Sequence, residues 1–210
     1  MPFRDFSSAD RHRGIRAVCR VRSRESGLAA VETAIIAPLL LLMVIGIVEF
    51  GLYFWNTTYA QTAVSAGART GVTQARVDDY QLAVKDSVKA AMSNISAEPV
   101  SLTIYKADPS TGLPEGGTST PGDVNTCLAE CYRFSWNAGT KDWVQAPSYS
   151  WPAADQSACG PLGHNDYLGV AVKFRYQSVT GLLLQNQVIF TSTMMRLEPV
   201  SAAGGQSCEP

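Results

Sequence analysis

Two groups of residues in this 210-residue chain have types and spacings that could do chemistry. The first is Gly27 with Glu32, a glycine ending a basic leader and a carboxylate five residues later. A cut after Gly27 would free an amine at Leu28, and on a helix Leu28 and Glu32 are i and i+4, neighbours on one face. An unpaired carboxylate entering a bilayer costs about 3 kcal/mol. The freed amine, or that of an adjacent subunit, could neutralise it. The second group is Cys127, Cys131, Cys159 and Cys208. An even number in an exported region favours disulfides, with three possible connectivities. Cys131 to Cys159 or Cys127 to Cys159 would staple an irregular region and contribute about 2–4 kcal/mol. Cys127-x3-Cys131 with Cys159-x4-His164 also has the ligand types of a zinc site, a reading that suits a cytosolic chain better than an exported one. Cys19 falls in the leader, where it stays reduced or is discarded.

Little else points to catalysis. There is no nucleophile elbow, phosphate-binding glycine loop or paired-histidine metal motif. His12 is in the leader, and His164 lacks a neighbouring base or nucleophile. Asp123 and Asn125 could open a calcium loop, but the glycine and closing glutamate are out of register. The sequence reads as a non-enzyme with no cofactor and no resident metal.

The element that must position Gly27 and Glu32 is the apolar run beside them. Thr33–Val48 has no charge, and Phe50–Trp55 extends it past Glu49. As a helix, Thr33–Trp55 is roughly 34 Å long, against a hydrocarbon core of about 30 Å. Seven arginines (Arg4, Arg11, Arg13, Arg16, Arg20, Arg22, Arg24) precede it against Asp5, Asp10 and Glu25, while the chain from Asn56 onward is net acidic. Phe50, Tyr53, Phe54, Trp55 and Tyr59 gather at the far end as an aromatic belt. The expected topology is a single-pass protein of the cytoplasmic (inner) membrane, N-terminus in and C-terminal domain out. The arginines then fix topology and meet anionic lipid, not nucleic acid. No small-x-small site follows the run closely enough for a secretory cut, so the helix stays attached. Pro38 removes one backbone bond and is expected to kink the span. Glu49 has two readings, a carboxylate reaching headgroup water or a packing contact with a partner subunit.

These residues resemble the cleavage and packing signature of type IV pilin-like proteins, in particular the TadE-like pseudopilins of the tight-adherence (Tad/Flp) pilus system. The resemblance rests on the leader ending in Gly27, on Glu32, and on Pro38-Leu39-Leu40-Leu41-Leu42 within the helix. It extends through Gly46-Ile47-Val48-Glu49-Phe50-Gly51 and Ala66-Gly67-Ala68-Arg69, and more loosely to Val170–Tyr176 and Met195–Pro199. The aromatic residue that usually follows the glutamate is Thr33 here. The resemblance implies trimming after Gly27 by a prepilin peptidase. It also implies contacts with other pilins and the assembly machinery, and a minor-pilin role in building an adhesion pilus or related secretion apparatus, into which the chain itself could be incorporated. The alternative is an unprocessed, membrane-tethered extracellular binding module.

Beyond the membrane, residues 56–96 read as helical. Asn56–Ala75 is rich in alanine, and its small residues suit either close helix contact or a slightly unstable solvent-facing helix. Asp78 and Asp79 suit the start of a second helix, whose apolar face runs Tyr80, Val84, Val88, Ala91, Ile95. Alternation then predicts strands at 100–105, 132–136 and 168–176, the last paired antiparallel with 188–195. Residues 107–165 are largely irregular and 201–210 form a frayed tail. The expected organisation is a leader (1–27), a transmembrane helix (28–55, core 33–55), the helical region (56–96) and a small exported domain (97–200). The expected fold class is α+β, a long N-terminal helix extending beyond the membrane followed by a small antiparallel sheet.

Overall fold

The computed structural model describes residues 25–115, 124, 127–147, 150–158, 165–181 and 186–199, with side chains from Gly27 onward. Helix α1 (Glu25–Thr73) contains Pro38 and runs through the whole apolar segment. The chain divides into two compact units, Met1–Met43 and Val44–Pro210.

In the first unit the described residues are helical, and their side chains are exposed from Gly27 to Met43. Leu39 to Met43 lie open on every side of the helix. A helix that is apolar all round belongs in a protein core or a membrane. Here a core is ruled out by exposure, since only 6 % of the most apolar 18-residue stretch of α1 is buried. Among the described residues, α1 is the single helix long and apolar enough to cross a membrane.

The second unit begins with the rest of α1. Asn56, Ala60, Ala63, Val64, Ala68 and Val72 are buried at helical spacing, with Gly67 and Gly71 among them. This is where the alanine-rich stretch resolves in favour of close contact, made within the chain itself. A Cβ on Gly67 would come within 2.5 Å of Val88 Cγ2, and one on Gly71 would collide with Leu168 and press on Val84. Helix α2 (Tyr80–Ala91) buries Tyr80, Val84 and Val88 in this seam. It ends four residues before Ile95, which still packs on the core from the following turn. Asp79 precedes α2 in a left-handed conformation (φ 61°) and makes no side-chain capping bond, unlike the cap expected from its type.

Five antiparallel strands complete the unit: β1 (Glu98–Ala107), β2 (Cys131–Asn137), β3 (Asp142–Gln145), β4 (Tyr167–Tyr176) and β5 (Gln187–Arg196). Their order is β3-β2-β1-β4-β5. The expected partnership of 168–176 with 188–195 is present, with Val172 opposite Thr191. Leu168, Val170, Val172, Phe174 and Tyr176 join the core shared with α1 and α2. The α+β class holds. Strand β3 lies in the stretch read as irregular; its turn is closed by Asn137 Oδ1, which accepts from the N–H groups of Gly139 (2.9 Å) and Thr140 (3.2 Å). Trp136 and Trp143 pack edge to face across it, ring centres 5.0 Å apart.

The opposite face of the sheet carries a smaller cluster of Tyr105, Ala107, Val124, Cys127, Cys131 and Ala171. Tyr105 lies flat over its cross-strand partner Gly169, where any Cβ would overlap the ring, and its hydroxyl donates to the Gly112 carbonyl at 2.9 Å. Burial pushes the Tyr105 phenol up to about 12.

Candidate functional site

Gly27 lies two residues inside the start of α1, with no atom near enough to meet an added Cβ. Leu28 is 74 % exposed and Glu32 is exposed. Because helix is continuous from Glu25, Leu28 and Glu32 are one turn apart on the same face. Thr33, at the position where an aromatic residue was expected, donates its hydroxyl to the Ala29 carbonyl at 2.8 Å. Pro38 is accommodated within the helix. The remaining leader lies outside the described residues.

Glu49 does not reach outward to headgroup water but is buried within its own chain. It is 1 % exposed, and its Oε1 accepts from the Thr180 hydroxyl (2.6 Å) and the Thr180 N–H (3.2 Å), on the turn between β4 and β5. Val44, Ile45, Val48 and Val179 line a cavity of about 140 Å³ beside this pair. Tyr176 leads into the same turn and packs edge to face on Tyr53 of α1 at 5.7 Å. Burial, and then the nearby Glu49 charge, raise the Tyr176 phenol above its usual range.

A second polar tie was missed in the sequence. Asn56 is fully buried, and its Oδ1 accepts from Ser96 N–H (3.0 Å), Ser96 hydroxyl (3.1 Å) and Ala97 N–H (3.1 Å). Its amide nitrogen donates to the Leu52 carbonyl at 2.7 Å. Asn56 therefore fastens the chain between α2 and β1 to α1. The available signal was its phase: Asn56 stands one turn before Ala60, on the small-residue face.

The cysteines depart from the expected staples. Cys127 is joined to Cys131, S–S 2.06 Å. That excludes the long links Cys127–Cys159 and Cys131–Cys159, because each sulfur forms one such bond. It also removes two thiolates from the zinc reading. Cys159, Cys208, His164, Asp123 and Asn125 lie outside the described residues. The short loop closes over Tyr105 and Ala171, so the bond edges the smaller cluster.

Among the described residues no group of three or more His, Cys, Asp or Glu could hold a metal ion. Lys106 is held by Glu115 (3.0 Å), Glu130 (3.6 Å) and Asp166 (3.6 Å). Partial burial disfavours its charge, yet the Glu115 hydrogen bond and the surrounding carboxylates raise its pKa on balance. An open groove beside α1, lined by Thr58, Thr62, Ser65, Arg69 and Thr70, offers hydroxyls already donated to carbonyls four residues back. It presents no nucleophile with a base.

No curated protein and no solved structure matches the chain. The N-terminal segment does find a relative: residues 27–69 match the family described as TadE-like protein, so this chain carries a TadE-like segment that starts at Gly27 and occupies nearly all of α1.

Proposed function

We propose that this protein is a membrane-anchored minor pilin or pseudopilin that takes part in assembling a Tad-type adhesion pilus or related secretion apparatus. One observation carries the reading: the TadE-like segment coincides with a helix whose first half is exposed and apolar, and Gly27 and Glu32 stand at its entrance. Such a half-helix is suited to lipid before assembly and to neighbouring subunits after it. The arginine-rich leader supports insertion into the inner membrane with the N-terminus inside and residues beyond Trp55 outside. A prepilin peptidase would cut after Gly27. A helical peptide bond must unwind to be cut, and near a helix end the fewest backbone bonds are lost. Glu32 would then pair with the Leu28 amine of its own or a neighbouring chain. The test is complementation of a strain lacking this gene. Glu32→Ala should insert in the membrane at wild-type levels yet fail to restore surface pili. Normal piliation by Glu32→Ala would remove the packing role.

A further inference from the structure

The turn between β4 and β5 exposes an apolar side chain beside the membrane helix. Ser178 Oγ accepts from the Gly181 N–H at 2.9 Å, and Gly181 takes φ +67°, a conformation that suits glycine. This tight turn leaves Val179 76 % exposed. Thr180 next to it is bonded twice to Glu49. Glu49 belongs to the apolar run Thr33–Trp55, and around it Val48, Phe50 and Phe54 are 55 %, 48 % and 64 % exposed. Val179 lines one small cavity together with Val44, Ile45 and Val48, so the turn and the apolar run share a continuous apolar surface. Its continuity with the apolar run identifies the partner, because residues that flank a membrane span at this level meet the interface between headgroups and acyl chains.

We propose that the Ser178–Gly181 turn docks into the outer bilayer interface beside α1, with Val179 in contact with lipid and the Glu49–Thr180 pair as the tie that holds it there. The exported domain is then seated on the membrane at a second point. The tie also explains a glutamate within an apolar run: its oxygen is satisfied by a hydroxyl and a backbone N–H instead of facing lipid unpaired. This rests on the reading of 33–55 as a membrane span.

The experiment places the photocrosslinker p-benzoyl-L-phenylalanine in the full chain, one site at a time, in phosphatidylethanolamine–phosphatidylglycerol vesicles. Lipid adducts are read by mass spectrometry. The sites are Val179, Leu41 in the span and Val144 on β3, the last two 62 % and 51 % exposed. Docking holds the Val179 probe in the apolar layer and leaves the Val144 probe in water, so roughly tenfold more lipid adduct is expected at Val179 than at Val144. Adduct at Leu41 with only the Val144 level at Val179 overturns the docking. Lack of adduct at both Leu41 and Val179 overturns the span, and the docking with it. Thr180→Val, combined with the probe at Val179, should lower its lipid adduct severalfold; an unchanged yield overturns the tie.

Discussion

The two stretches of α1 on either side of Val44 share one helix and differ in what surrounds their side chains. Before Val44 the side chains are exposed, and those from Leu39 to Met43 are all large and apolar; from Asn56 to Val72 the buried face is small and matched to α2 and β4. Large exposed residues need no particular partner, only an apolar medium, which is what a bilayer or a bundle of like helices provides. Glycine and alanine let other elements approach the helix closely, and here those elements come from the same chain. One stretch is therefore open to its surroundings, while the other is the keel of the folded domain.

The largest expected effect breaks the keel. Gly71→Leu forces a side chain into Leu168 and Val84 and should cost about 3 kcal/mol, seen as a lower thermal midpoint of the full chain in detergent. Leu40→Ala, equally drastic in sequence, should leave that midpoint unchanged, because Leu40 is 55 % exposed and touches none of the core. Equal losses for both would erase the distinction. Next comes Asn56→Ala, which leaves the N–H groups of Ser96 and Ala97 without their acceptor. A loss of about 2 kcal/mol in chemical denaturation is expected.

The smallest effect concerns pH and the far face of the sheet. The Tyr105 phenol, raised to about 12 by burial, keeps its proton in the folded chain after the unfolded chain has lost it. Stability from this group is complete below the unfolded value of about 10 and declines as pH rises from there towards 12. Tyr105→Phe should flatten that decline while removing one late-titrating phenol from the absorbance at 295 nm.

Much of this division was legible in the sequence, for definite reasons. The length of the apolar run and period-two alternation along Leu168–Tyr176 are local patterns, and each led to an element that exists. Strand β3 was hidden because its four residues are too few to show a period, and its stability comes from pairing Trp143 with Trp136. The partners of Glu49 and Asn56 lie 131 and 40 residues away, beyond any local pattern. The long cysteine staples are absent for a related reason. A long staple looked necessary when residues 107–165 seemed to lack a core, but Val124, Cys127 and Cys131 pack on the sheet and supply one.

The central claim is that the first stretch of α1 is an assembly element exposed by a cut after Gly27. Intact and N-terminal mass spectrometry of the chain isolated from membranes containing the prepilin peptidase tests it most directly. The account predicts a mature chain beginning at Leu28, and a leader still attached in peptidase-deficient cells. A chain that keeps its leader when the peptidase is present would contradict the account and favour a tethered binding module.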